Sequence, residues 1–206
     1  MPKVSQEHSD TQRRAILEAA IRCFARTGFH RTTMRDVVRE SGMSAGALYL
    51  YFKSKDELIE AIAENRHLRE RQWIISALNE DDLAGSLDTL IQSFARTLMD
   101  RGEQQERRLS VQLWAESLQD TKIRQSVLYG VNTPTDLLAR FFKAAQKQGK
   151  IPKSLDCRAA SRVIVALYQG LVLQLAWEPH VSLKPHVKII QSMLCALSAE
   201  SQERRR

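Results

Sequence analysis

A chain of 206 residues with 43% hydrophobic and 27% charged residues, only 8 Gly and 5 Pro, and no low-complexity tract reads as an ordinary soluble globular protein. This length exceeds a bare DNA-binding module and suits a small head on a larger body. The net charge of +7 is unevenly placed. Residues 1–55 carry ten Lys/Arg against five Asp/Glu, whereas 56–206 carry 21 against 19, which places the basic excess on the head and favours a polyanionic partner there.

Helical periodicity dominates and no alternating strand stands out, so the expected fold is all-α. Ser9 followed by Gln12 predicts a capping box opening the first helix, whose stripe of Ile16, Leu17, Ala20, Ile21 and Phe24 ends at Gly28. Thr33 with Asp36 starts a second helix, closed by Ser41-Gly42. Ser44 caps a third, with Leu48 and Phe52 facing inward one turn apart. A turn containing Gly, followed by small residues opening a second helix, is the layout that lets a recognition helix enter the DNA major groove.

Ser54 and Glu57 predict the start of a long helix to about Leu78, with Leu58, Ile62 and Leu68 on one side. A polar break at residues 79–82 precedes a helix over 83–100, stopped by Arg101-Gly102, and another over 104–118. The segment 120–148 is amphipathic but holds Gly130 and Pro134, which predicts a kink or two helices. Gly149 to Pro152 is a stop. An unusually apolar helix runs from Asp156 to Trp177, and Ser182 is expected to cap a last one to about Ser198, leaving Arg204-Arg205-Arg206 as a frayed tail. These last two helices carry more apolar surface than one body covers, which predicts a dimer interface through Val163, Leu167, Leu171, Ile190, Leu194 and Leu197.

Phe29-His30-Arg31-Thr32-Thr33, Ser41-Gly42-Met43-Ser44, Gly46-Ala47-Leu48-Tyr49 and Tyr51-Phe52-Lys53-Ser54-Lys55-Asp56-Glu57-Leu58 together resemble the N-terminal domain of the TetR/AcrR family of transcriptional regulators. The resemblance runs from about residue 11 to 60. In the body it is limited to architecture and to Gly149-Lys150-Ile151 and Tyr168-Gln169-Gly170-Leu171. It implies a helix-turn-helix DNA-binding domain over 1–55, and a helical effector-binding and dimerisation domain over 56–206, about nine helices in all. It also implies a homodimer that mostly represses, binding palindromic double-stranded DNA and released by a small molecule.

The family pattern carries onto Thr33, Ser44, Ala45, Gly46, Tyr49, Tyr51, Lys53 and Lys55, with Arg35 and Arg31 supplying readout from outside the recognition helix. Ala45 and Gly46 are small enough for close approach. Tyr49 and Tyr51 offer phenols to phosphates, and Lys55 is expected as a phosphate clamp. Leu50 departs from the polar or aromatic residue found in many members and removes a hydrogen bond from that position. Family architecture places the effector among Phe94, Leu98, Trp114, Leu118, Tyr129 and Tyr168, with Glu116 or Arg108 as polar contacts. The aliphatic surroundings suit an apolar or amphipathic ligand.

The sequence argues against an enzyme: it has no phosphate-binding glycine loop, no metal-ligand spacing and no nucleophile paired with a base. His8, His30, His67, His180 and His186 are scattered, and Cys23, Cys157 and Cys195 read as small buried hydrophobes. No cofactor or metal is expected. No apolar run approaches the roughly 20 residues of a bilayer span and no signal peptide opens the chain, so the expected location is the cytoplasm with no membrane partner. The alternative function is an architectural or cell-division factor on the same fold, binding DNA without an effector.

Overall fold

The computed structural model describes residues 6–203, with side chains throughout except those of residues 6, 101 and 195–203. Leu197 and Cys195 are therefore outside the described side chains, and the 204–206 tail is outside altogether. The described residues form nine α-helices and one 3₁₀ turn and no strand: α1 (Gln6–Thr27), α2 (Met34–Ser41), α3 (Ala45–Tyr51), α4 (Lys55–Ala77), α5 (Leu83–Met99), the turn Arg101–Glu103, α6 (Gln104–Glu116), α7 (Thr121–Lys147), α8 (Cys157–Trp177) and α9 (Lys184–Glu203).

Two compact units result, one of Met1–Arg66 with Gln105–Ser126, the other of His67–Gln104 with Val127–Arg206. The first therefore takes in more chain than the division after residue 55. The reason lies in its core, where Ile16, Leu17, Ala20 and Phe24 of α1, Val37 of α2 and Leu48 of α3 meet Leu58 and Ile62 of α4 and Leu109 of α6. A three-helix head of this size has too little interior of its own, and the added turns of α4 and α6 bury its open side.

The second unit packs Ile74 of α4, Leu87, Leu90 and Ile91 of α5, Leu138, Phe141 and Phe142 of α7 and Ile164 and Val165 of α8 around one core. Its loops are closed by side chains on carbonyls: Gln146 Nε2 donates to Pro152, Lys153 and Leu155, and Lys150 Nζ to Glu80 and Asp81.

Several local expectations are corrected. Ser9 does not cap α1, which begins a turn earlier and carries Thr11 bonded to the Glu7 carbonyl at 2.9 Å. Leu68 is exposed, because the side of α4 that the head buries ends near Ile62. Segment 121–147 is one helix despite Pro134. Gly130 serves a different purpose from a break: a Cβ there would meet His67 Nε2 at 2.5 Å, so glycine lets that ring pass close to α7. The last helix starts at Lys184, past Ser182, and continues beyond Ser198 to Glu203.

By length and composition α8 also meets the requirement for a bilayer span, with mean hydropathy 1.4. No run looked long enough in the sequence because Ser161, Gln169 and Gly170 interrupt it, yet the helix average stays apolar. A core helix passes the same test, although only 28% of this stretch is buried within its unit, at Cys157, Ser161, Ile164, Val165, Val172 and Leu175.

Candidate nucleic-acid interface and body cavity

The head is built by side chains that fix its helix ends. At α2, the Asp36 amide donates to Thr33 Oγ1 at 3.2 Å while the Thr33 amide and hydroxyl donate to the Asp36 carboxylate at 2.9 and 2.7 Å, a reciprocal capping box. Those bonds from Thr33, assisted by Arg39 at 2.7 Å, hold the Asp36 carboxyl below the usual carboxylate range. Gly42 ends α2 at φ 68°, a left-handed conformation that a side chain would strain. Ser44 Oγ then accepts from the Ala47 amide at 3.2 Å and opens α3.

Glu40 ties α2 to α1, accepting from Arg22 Nε at 2.7 Å and Arg26 at 3.2 Å, and these bonds hold its carboxyl below its ordinary value. The thiol of Cys23 nearby is pushed up by burial, as is that of Cys157 in the other unit; neither is poised as a thiolate.

With Leu48 fully buried and Phe52 nearly so, α3 turns its opposite side to solvent. Ala45 and Gly46 are exposed, Tyr49 is 46% exposed and Leu50 85%. Thr33, Arg35, Ser44 and Lys53 are exposed around it. Two of the residues expected at this surface are engaged inside the head instead. The Tyr51 hydroxyl donates to Gln12 Oε1 of α1 at 3.0 Å, and Lys55 Nζ donates to the Phe29 and His30 carbonyls at 3.0 and 3.3 Å while lying 4.7 Å above the Phe29 ring. Lys55 is thus a strut closing the turn after α1, with two of its three donors spent. Arg31 Nε likewise donates to the Thr27 carbonyl.

Sequence reasoning also missed the pair His30 Nε2 to Glu116 Oε2 at 2.8 Å, which joins the α1–α2 turn to the end of α6. No local pattern relates residues 86 positions apart. This contact uses Glu116, expected as an effector contact, and Arg108 of the same helix is exposed.

In the second unit, α5, α8 and α9 leave a cavity of about 30 Å³ lined by Leu90, Phe94, Leu98, Leu167, Tyr168, Val187 and their neighbours. Of the six expected effector residues, Phe94, Leu98 and Tyr168 line it, with Phe94 stacked on Tyr168 at 4.9 Å between ring centres. Trp114 belongs to the other unit, Leu118 is 77% exposed, and Tyr129 is exposed against His67. Leu167, Leu171, Ile190 and Leu194, expected at a dimer interface, line this cavity; Leu194 is buried, and only Val163 of the described five is exposed. Among the described side chains, the large apolar residues that α8 and α9 do expose are Val163, Trp177, Ile189 and Met193.

Among the described residues no cluster of three His, Cys, Asp or Glu could hold a metal.

A family model described as bacterial regulatory proteins, tetR family, matches residues 16–62, and one described as BetI-type transcriptional repressor, C-terminal, matches 87–199, more than half of the chain. The chain belongs to the TetR family. Its N-terminal stretch is 54% identical over 63 residues to the uncharacterized HTH-type transcriptional regulator YfiR of Bacillus subtilis, a match spanning 31% of each chain and so about a third of that relative's length. HTH-type transcriptional regulator TtgR of Pseudomonas putida is 28% identical over 178 residues, 84% of this chain and 83% of that one. Among solved structures, Salmonella enterica GusR superposes with a TM-score of 0.77 at 28% identity, covering 96% of this chain and 99% of GusR. The TetR family is one of regulators, not enzymes.

Proposed function

We propose that this TetR-family chain is a DNA-binding transcriptional repressor that acts in the cytoplasm as a homodimer on a palindromic operator and is released by a small apolar or amphipathic effector held in the body. The observation that carries the DNA-binding reading is the solvent face of α3. A helix this short keeps Tyr49 and Leu50 in water at a stability cost, unless a partner covers them, while exposed Arg35 and Lys53 stand beside them to meet phosphate. Leu50 and the small residues Ala45 and Gly46 suit contact with thymine methyl groups in the major groove. Thr33 and Ser44 add hydroxyls at the two helix starts.

Repression rests on the C-terminal match to a BetI-type repressor. The dimer reading rests on Val163, Trp177, Ile189 and Met193, apolar residues left uncovered on α8 and α9. The small volume of the body cavity favours the second reading, a DNA-binding architectural or cell-division factor without an effector.

Purified protein incubated with fragmented genomic DNA, followed by sequencing and a salt titration on the best fragment, separates the two. Enrichment of one palindromic site is expected. Binding that is weak, similar for all fragments and steeply salt-dependent supports the architectural reading instead.

A further inference from the structure

The solvent side of α3 is defined by the groups it lacks. Ala45, Gly46, Ala47, Leu48 and Leu50 offer hydrocarbon or no side chain, so the hydroxyls of Tyr49 and Tyr51 are the helix's side-chain hydrogen-bonding groups. Tyr51 has already given its hydroxyl to Gln12 Oε1, which leaves the Tyr49 phenol. Ser44, just ahead of the helix, has its oxygen on the Ala47 amide.

Leu50 stands opposite the buried side. Leu48 and Phe52 point inward one turn apart, and with about 100° between successive residues their mean direction lies about 180° from that of Leu50. At 85% exposure Leu50 is in water more fully than any other large apolar side chain described. Gly46, one turn before it, adds open space, since a Cβ there would meet no atom within 4 Å. Tyr49 leaves the helix on its flank, about 100° from Leu50, so the phenol does not share the direction in which Leu50 points.

Each base pair shows the major groove donors and acceptors, and thymine adds a methyl group. An aliphatic side chain cannot bond to the donors and acceptors and gains only by covering the methyl. Thymine is not the only base with such a methyl. 5-Methylcytosine carries it on the same ring carbon and differs at the neighbouring position, where an amino donor replaces the carbonyl acceptor. To separate the two bases, a protein must donate to that carbonyl or accept from that amino group, and Leu50 can do neither. Exposed Arg35 and Lys53 beside α3 supply the attraction to phosphate, which carries no base identity.

We propose that α3 reads the C5-methyl group of pyrimidines through Leu50. The protein therefore accepts 5-methylcytosine where it accepts thymine at that contact, and it binds a cytosine-containing site more tightly once that cytosine is methylated. The inference rests on the DNA-binding reading above and adds the chemical group that is recognised, which makes cytosine methylation an input to operator choice.

The test uses the full chain and the operator fragment selected from genomic DNA, with binding followed by fluorescence anisotropy at fixed salt. Each thymine is replaced in turn, together with its symmetry mate, by deoxyuridine, which removes the methyl and keeps every donor and acceptor. Covering one methyl changes affinity by about fourfold, so one such pair is expected to weaken binding by about sixteenfold. At that pair, cytosine opposite guanine should bind about as weakly as deoxyuridine, and 5-methylcytosine opposite guanine should restore the affinity of thymine. In Leu50→Ala, a substitution at a position outside the core, all four bases should bind alike at that pair.

Three results overturn the inference while operator binding itself stands: no thymine that responds to loss of its methyl, 5-methylcytosine that binds as weakly as cytosine, or the same methyl dependence in Leu50→Ala. Binding that prefers no fragment overturns it as well, since no base is then read. Failure to retain any DNA overturns the DNA-binding reading and this inference with it.

Discussion

The two units are held together by different means. In the head, dedicated polar partners fix the helix ends and the turns: Thr33 with Asp36, Ser44 with Ala47, Glu40 with Arg22 and Arg26, Lys55 with the Phe29 and His30 carbonyls. In the body the helices meet mainly through leucine, isoleucine and phenylalanine, and a small void remains. Directional bonds fix one geometry. Apolar packing tolerates several, since its energy depends on area covered and little on angle. The proposed function, a surface that matches a rigid duplex and a body that yields to a ligand, would call for these two solutions.

The contrast can be broken from the head outward. A Cβ added at Gly46 would meet no atom within 4 Å and its φ is unstrained, so Gly46→Leu should leave the melting temperature unchanged. Operator affinity should nevertheless fall by about a thousandfold, toward nonspecific binding, as read by fluorescence anisotropy. Unchanged affinity would remove α3 from the interface.

Core truncation compares the units directly. Phe24→Ala in the head and Phe142→Ala in the body, both almost fully buried, should each cost about 3–5 kcal/mol in urea unfolding. The sharper expectation is that Phe142→Ala leaves the folded head able to bind operator DNA, whereas Phe24→Ala does not.

Lys55→Ala tests a strut against a phosphate clamp. Loss of its two carbonyl bonds should destabilise the chain by about 1–2 kcal/mol, with the slope of log affinity against log salt unchanged. A slope that drops by about one unit with no loss of stability would restore the clamp. Thr33→Ala removes half of a capping box and should cost about 1 kcal/mol, measured in the same denaturation.

The smallest effect is that of pH. Asp36 and Glu40 have folded values below their unfolded ones, so the stability they add is complete above the unfolded carboxylate value and disappears as pH falls through the folded value. Denaturation midpoints should therefore decline with acidification through the carboxylate range, and less steeply in Asp36→Asn and in Glu40→Gln. Identical pH profiles for the wild type and both variants would contradict the sign.

What was legible in the sequence follows the range of the forces involved. Thr33 with Asp36, Gly42, Ser44 and the Leu48–Phe52 pair act within four residues, so composition and spacing alone located α2, the turn and α3. Ser9 failed as a start signal because the helix continued past a good cap, with Glu7 and His8 carried into it through Thr11 and Gln12.

Tertiary structure alone decided which exposed-looking polar groups were already used. Tyr51 and Lys55 stand at positions that match the family pattern, yet Gln12 and the Phe29 and His30 carbonyls, 39, 26 and 25 residues away, take their hydrogen-bonding groups. It also decided which side of α8 and α9 is interior. Both helices carry apolar residues on more than one side, so periodicity could not tell a cavity wall such as Leu167 from an exposed residue such as Val163; only the position of α5 against them does.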